Sequence, residues 1–157
     1  MATESMYQNK NSNNYATPNW LKHSLFYNWH DPCPLELQID NNGQIVNGLK
    51  TEWPSYTYVN PPYNNPLPWV EKAIEENQQG KIIALLLKHD STTKWYHLLH
   101  QANAHFILCG ERLHFNESKQ AAPFPSVIAI LYADPYQYHI KQTLTKTNLH
   151  HTTHYKL

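Results

Sequence analysis

Six consecutive apolar residues, Ile82 to Leu87, constrain this chain more than any other feature. Successive side chains on a strand point to opposite faces, so an uninterrupted apolar run needs cover on both. The flanking patterns supply that cover. Upstream, Pro68-Trp69-Val70-Glu71-Lys72-Ala73-Ile74 opens a helix. Val70, Ala73, Ile74 and Asn77 fall at helical spacing, and Gly80 is a natural stop. Downstream, Ser91 to Ala102 reads as a second helix with a Ser or Thr cap, and Trp95, Leu98 and Leu99 face inward. A buried strand between two helices implies a layered α/β fold with parallel crossovers.

The remaining elements extend that frame. Thr17-Pro18 predicts a helix start, with Thr as cap and Pro at the first helical position. Phe26 to His30 reads as a short aromatic strand ended by Asp31-Pro32. Residues 34–52 read mostly as loop, with turn signals at Asn41-Asn42-Gly43 and Asn47-Gly48. Tyr56 to Val59 alternates and predicts a strand. His105–Leu108, Leu113–Phe115 and Val127–Tyr132 read as three further strands. The expected architecture is a small, open, mostly parallel sheet with these last strands added antiparallel at one edge. Residues 1–14 read as a flexible polar arm, 15–134 as one domain, and 135–157 as a basic His/Lys tail.

A chain of 157 residues buries a core without a disulfide scaffold. Its two cysteines, Cys33 and Cys109, are too few to staple it and are expected reduced. Lys plus Arg and Asp plus Glu are both 12, which excludes a histone-like polyanion binder. The charge is uneven, however. Residues 1–87 carry five lysines and eight acids, and residues 88–157 carry seven basic residues and four acids. Any contact with a polyanion is therefore expected from the second half. No apolar run approaches the ~20 residues of a spanning helix, and residues 1–14 lack an apolar signal core. The expectation is a soluble cytoplasmic protein without membrane association or an evident obligate protein partner.

The strongest chemical signal is Val59-Asn60-Pro61-Pro62-Tyr63, at the C-terminal end of a predicted strand. Open α/β sheets bind ligands at that edge. Two prolines stop the ladder and fix φ. The Asn60 side-chain carbonyl and the Pro61 backbone carbonyl then offer two acceptors to one planar –NH2 group. Tyr63 can stack on a flat heterocycle. Two acceptors pull the amine hydrogens out of the ring plane and localise the nitrogen lone pair. That lone pair attacks an electrophilic methyl group without a strong general base. A rigid turn or a Pro-rich ligand is the structural alternative for the bare tetrapeptide.

Two weaker segments precede it. Asp31-Pro32-Cys33-Pro34 ends the first predicted strand, where an acid suits hydroxyl or ammonium groups of a nucleotide-like cofactor. Alone it is also a simple Asp-Pro turn. Tyr15-Ala16-Thr17-Pro18 opens the first helix, and alone is a plain cap.

With these three segments in this order, the sequence resembles the phage-type DNA N-6-adenine methyltransferases, the short Dam-like proteins of phages and prophages. The resemblance runs over roughly residues 15 to 133 and includes Asn47-Gly48-Leu49 with Trp53, Trp69-Val70-Glu71-Lys72-Ala73 and Leu85-Leu86-Leu87. It continues through Thr93-Lys94-Trp95-Tyr96-His97, Gly110-Glu111-Arg112-Leu113-His114-Phe115 and Ala122-Pro123-Phe124-Pro125-Ser126. It implies a Rossmann-like domain that binds S-adenosylmethionine and methylates the exocyclic amine of adenine in DNA. Asn60, Pro61, Pro62 and Tyr63 would form the catalytic segment. Asp31, Pro32 and Cys33 would sit at the first cofactor motif, and Thr17 with Pro18 near the methionine part of the cofactor. Phe26 or Trp29 would wall the pocket, and the target base would be flipped out of the duplex. If the protein is viral, it would work in the cytoplasm of its host cell.

The chain departs from the pattern in three places. No Gly-x-Gly follows the Asp-Pro segment, so the cofactor loop must be built differently. Asn47-Gly48-Leu49 stands where the family often has Asp-Gly-Leu, and Asp40 is the nearby acid that would compensate. The strand after the tetrapeptide ends in Lys88-His89-Asp90, where relatives often have a proline. Two alternatives stay open: a methyltransferase acting on RNA adenine or a protein glutamine, and a degenerate cofactor- or DNA-binding protein without turnover.

Lys88, Lys94, Arg112 and Lys119 are the candidate DNA contacts, each with the alternative of an ordinary surface charge. Arg112, the single arginine, has the alternative of an ion pair with Glu111 or Glu117. His150, His151 and His154 have spacing that suits a stray divalent cation, and His97 and His100 share a helix. The first set is expected to lie in a disordered basic tail and the second lacks a third ligand at convincing spacing, so no metal is expected. Cys33 lacks the His and carboxylate arrangement of a nucleophile.

Overall fold

The computed structural model describes residues 15–133 and a two-residue strand, Thr143–Leu144. The arm at 1–14 and the rest of the tail, including His150, His151 and His154, lie outside the described residues. In chain order the elements are α1 (Asn19–Leu25), β1 (Tyr56–Val59), α2 (Leu67–Gln78), β2 (Ile82–Lys88), α3 (Lys94–Gln101), β3 (His105–Cys109), β4 (Ser126–Leu131) and β5 (Thr143–Leu144). A 3-10 turn covers Phe115–Glu117.

The sheet order is β1-β2-β4-β3-β5. β1 pairs parallel with β2, and β3 with β5, while β4 is antiparallel to both β2 and β3. The expectation of a mostly parallel sheet with an antiparallel edge is therefore corrected. Helices α2 and α3 keep β1, β2 and β3 running one way, and β4 inserts against that direction in the middle. Val127 to Leu131 is buried on both faces, which only an interior strand allows. Local pattern carried the strand but not its place.

The apolar run behaves as its composition demands. Ile83 to Leu87 are all fully buried. Ile83, Leu85 and Leu87 meet α2 and α3 through Trp69, Val70, Ala73, Trp95 and Leu99. Ala84 and Leu86 face the opposite layer, built from Leu21 and Phe26 and from Leu113, Phe115 and Ala122 of the loop before β4. α2 stops where Gly80 takes φ 87°, a left-handed value open to glycine. Glu76 then locks that corner, taking Lys72 Nζ at 2.6 Å and Lys81 Nζ at 2.5 Å.

Two predicted strands are corrected. Phe26–His30 is not a strand: Phe26 closes α1 by donating its N–H to the Lys22 carbonyl, and Asn28 takes φ 66°. A left-handed residue breaks an extended run. Only His30 remains, bridging parallel to Thr57 on the outer side of β1. Leu113–Phe115 is likewise not a strand. Its alternating apolar residues anchor a loop, and the 3-10 turn follows with Asn116 and Glu117 at φ 55° and 52°. The helix start is also shifted. Pro18 is itself the cap, its carbonyl accepting from Leu21 and Lys22 N–H at 3.0 and 3.1 Å, and Thr17 turns elsewhere.

Candidate active site

Asn60 directly follows β1, and its location comes from the prolines behind it. Neither Pro61 nor Pro62 can donate to a ladder, so β1 ends at Val59 and the chain turns off the sheet. Asn65 N–H donates to the Pro62 carbonyl at 3.1 Å and closes that turn. Pro61 is buried, and no backbone N–H among the described residues bonds its carbonyl.

The Asn60 side chain is tied to residues far back in the chain. Its Nδ2 donates to the Tyr15 carbonyl and, at 3.2 Å, to Thr17 Oγ1. Thr17 Oγ1 also shares a 2.7 Å hydrogen bond with the hydroxyl of Tyr58. Tyr58 is fully buried and stacked on Phe26, with centroids 4.4 Å apart. Burial raises the Tyr58 phenol far above its ordinary range, so it stays protonated. Segment 15–19 is held from the other side as well. Ala16 N–H donates to Asn116 Oδ1 at 2.7 Å, Asn116 N–H to the Ala16 carbonyl at 3.0 Å, and Asn19 N–H to Glu117 Oε1 at 2.7 Å.

Tyr63 forms the floor of an aromatic cluster. Tyr15 stacks on it, and Phe115 and Phe124 meet it edge-on at 5.8 and 5.2 Å. Its hydroxyl is buried without a hydrogen-bond partner among the described residues. Burial again pushes that phenol well above its usual value. Lys88 Nζ, at the end of β2, lies 4.6 Å from the Phe124 ring centre and 5.8 Å from that of Tyr63.

Asp31 lies one strand position outward on the same edge, since His30 runs parallel to β1. Asp31 Oδ1 accepts from Cys33 N–H at 2.9 Å, and Lys22 Nζ is 4.0 Å from Oδ2. Burial raises its carboxyl pKa, and Cys33 N–H, Lys22 and His30 only partly offset that. The Cys33 thiol is raised too, first by burial and then by the Asp31 charge, so it is no nucleophile at neutral pH. Pro32 is packed by the 47–49 turn: a Cβ on Gly48 would lie 1.9 Å from the Pro32 carbonyl oxygen, so only glycine fits. Trp53 Nε1 donates to the Gly48 carbonyl at 2.7 Å and fixes the turn from below. Asn47 Oδ1 is used internally, accepting from Leu49 N–H at 3.0 Å.

The family model described as DNA N-6-adenine-methyltransferase (Dam) matches residues 4–153. The chain belongs to this family. A DNA N-6-adenine-methyltransferase of Haemophilus phage HP1 (strain HP1c1) is 33% identical over an alignment of 106 residues. That alignment covers 61% of this chain and 61% of the phage protein, so the chain spans under two thirds of its relative. No solved structure matches.

Within this Dam-family chain, Asn60, Pro61, Pro62 and Tyr63 come together with Thr17 at one sheet edge, and Asp31, Pro32 and Cys33 sit beside them. Pro18 is buried at the start of α1. Phe26 packs under Tyr58, and Trp29 meets Phe26 and Tyr56 edge-on. The charged candidates are less gathered. Lys88 joins the aromatic cluster, whereas Lys94 opens α3 and lies 3.9 Å from Glu71. Arg112 Nη1 reaches the Ala122 carbonyl at 3.5 Å, and Lys119 is exposed in the loop before β4. Tyr15, Phe115 and Phe124 join this site beyond the residues that the sequence predicts for it, although their segments carry the resemblance. The signal of Tyr15 and Phe124 is an aromatic ring in an otherwise polar or Pro-rich loop, whereas the alternation of Phe115 with Leu113 imitates a strand and hides it.

Proposed function

We propose that the chain transfers a methyl group from S-adenosylmethionine to the exocyclic amine of adenine in DNA. One observation carries this reading: in a Dam-family chain, the Asn60-Pro61-Pro62-Tyr63 turn stands at the C-terminal edge of the sheet beside the desolvated Asp31 carboxylate. The residues suit the cofactor. A carboxylate with one oxygen on Cys33 N–H and a lysine only at 4.0 Å has capacity left for hydroxyl or ammonium donors. Thr17 and Pro18, at the start of α1, would lie near the methionine part of the cofactor. When bound, S-adenosylmethionine supplies an electrophilic methyl group on a sulfonium.

The protein's own contribution is geometric. Asn60 Oδ1 and the Pro61 carbonyl accept the two amine hydrogens of a flipped adenine. The lone pair is thereby localised on nitrogen and aimed at the methyl carbon. Tyr63 supports the base from one face, and Phe115 and Phe124 enclose it. The amine gains the methyl group and then loses one proton to solvent, so no buried base is needed. Lys88, Lys94, Arg112 and Lys119 contact the phosphate backbone. β1, β2, β3 and β5 running one way, with α2 and α3 on one face, support a Rossmann-like arrangement. A DNA substrate supports a cytoplasmic location, that of the host cell if the protein is viral.

The test is methyl transfer from labelled S-adenosylmethionine to unmethylated DNA, with RNA and a release-factor mixture in parallel. Nucleosides are identified by mass spectrometry, and Asn60→Ala is the control. Methyladenine in DNA that vanishes in the variant supports the proposal. Label in RNA or glutamine moves the acceptor, and cofactor binding without transfer to any acceptor sinks the catalytic reading.

A further inference from the structure

An asparagine amide has two ends of nearly equal size and opposite chemistry. Only its oxygen can accept the hydrogens of an amine, so an adenine-binding Asn60 must present Oδ1 and not Nδ2. Shape alone does not decide which end that is. The surroundings do. The Tyr15 backbone carbonyl is an acceptor and nothing else, so the end of Asn60 that meets it must be the –NH2 group. The second Nδ2 hydrogen goes to Thr17 Oγ1 at 3.2 Å. Both donors are then consumed, and no described residue donates to Oδ1. Flipping the amide would set Oδ1 against the Tyr15 carbonyl, two acceptors face to face.

Thr17 is itself held. Its hydroxyl meets the fully buried Tyr58 hydroxyl at 2.7 Å, and Tyr58 is clamped by Phe26. The Tyr15 carbonyl is held by the reciprocal Ala16–Asn116 bonds next to it. These contacts span 45 and 43 residues of sequence, so the segment before α1 and the end of β1 form one unit. We infer that Thr17 and the Tyr15 carbonyl are positioning groups, which lock the Asn60 amide with its oxygen toward the target amine. The inference rests on the proposed methyl transfer for its catalytic consequence. It gives Thr17 a task distinct from cofactor contact.

The test uses the full chain in three forms: wild type, Thr17→Ser, and Thr17→Val combined with Tyr58→Phe. The double variant removes both hydroxyls of the buried pair, so neither is left unpaired and the fold is kept. Thr17→Ser keeps the acceptor. Three quantities are read: kcat and KM for DNA, the dissociation constant of S-adenosylmethionine, and hydrogen exchange of the Asn60 side-chain –NH2 in 15N-labelled protein. That –NH2 pair is assigned by its loss in Asn60→Asp. The expected result for the double variant is a fall in kcat of about tenfold at unchanged cofactor affinity, with –NH2 exchange about tenfold faster. Thr17→Ser stays within about twofold of wild type on all three. Unchanged kcat and exchange overturn the inference. So does a loss that disappears at saturating cofactor, which assigns the hydroxyl to the cofactor instead. If wild type methylates nothing, the methyl-transfer reading fails separately, and the exchange arm still decides the amide orientation.

Discussion

Tyr15 lies against the face of Tyr63, with ring centroids 5.5 Å apart and planes 27° from parallel. In the proposed mechanism the target base stacks on that same face. On that proposal the Tyr15 ring occupies the seat of the target base, while its backbone carbonyl accepts from the Asn60 amide. The backbone is pinned through Ala16 and Asn116, so a base entering that seat would displace the ring about its own side-chain bonds with the backbone held. Tyr15→Ala is expected to lower the KM for DNA several-fold, because no ring has to be displaced. It also loses the Phe115 and Phe124 contacts and destabilises the protein by about 1–3 kcal/mol. Steady-state kinetics and urea melts check both effects. A raised KM with a lowered kcat would instead make Tyr15 a wall of the base pocket.

The Tyr63 hydroxyl is buried with no partner among the described residues, while its ring is packed on three sides. An unpaired buried hydroxyl works against folding. Tyr63→Phe is expected to stabilise the free protein by about 1 kcal/mol and to leave kcat within about twofold. Tyr63→Ala removes the stacking surface and lowers kcat by at least about tenfold. If Tyr63→Phe is as inactive as Tyr63→Ala, the hydroxyl contacts the substrate and the stacking account is incomplete.

What the sequence shows depends on how far apart the interacting residues are. The burial of Ile83–Leu87 and the helices around it rest on neighbours within one or two turns, and period alone carries them. The turn at Asn60-Pro61-Pro62-Tyr63 is equally local, because the prolines enforce it. The position of β4 between β2 and β3 is not local. Val127 to Leu131 is apolar throughout, so it shows burial and is silent on direction and neighbour. Phe26 to His30 misleads for another reason. Its aromatic content suits a strand, yet Phe26 is spent on stacking with Tyr58 and Asn28 turns left-handed. Thr17 looks like a helix cap until Asn60 arrives 43 residues later. The family resemblance marked the Thr17 segment, and only the fold shows what the hydroxyl touches.

Glu76 carries the corner between α2 and β2. Its side chain is 4% exposed and holds Lys72 on one oxygen and Lys81 on the other, and Lys81 also reaches Glu52 at 3.2 Å. Burial alone would raise its pKa, but the hydrogen bonds and charges of the two lysines outweigh it and the value is lowered. A lowered folded pKa gives stability that is present above the unfolded carboxyl value and is lost as pH falls through the folded one. Glu76→Gln is expected to cost about 1–3 kcal/mol at pH 7 and to flatten the acid limb of the stability curve. Urea melts from pH 2 to 8 check this. A variant with an unchanged acid limb would show that other carboxylates govern acid unfolding.

Asp31 should behave in the opposite sense. Burial raises its carboxyl pKa, and Cys33 N–H and Lys22 offset only part of that. A raised folded pKa means the folded chain holds the proton more tightly than the unfolded chain. The stability contribution from this group is full at low pH and is lost as pH rises through the raised value. At pH 7 the ionised carboxylate therefore opposes folding, as a group kept for binding commonly does. Asn in its place can still accept from Cys33 N–H and carries no charge. Asp31→Asn is expected to stabilise the free protein at pH 7 by up to about 1 kcal/mol, with the gain vanishing in acid. It is also expected to weaken S-adenosylmethionine binding by at least about tenfold, because a charge-assisted acceptor is lost. Thermal melts with and without cofactor between pH 4 and 8 read both quantities. Lower stability at pH 7 would show that Lys22 and Cys33 over-compensate the burial. Unchanged cofactor affinity would remove Asp31 from the cofactor site and leave its buried charge to be accounted for by packing around Pro32 and Gly48.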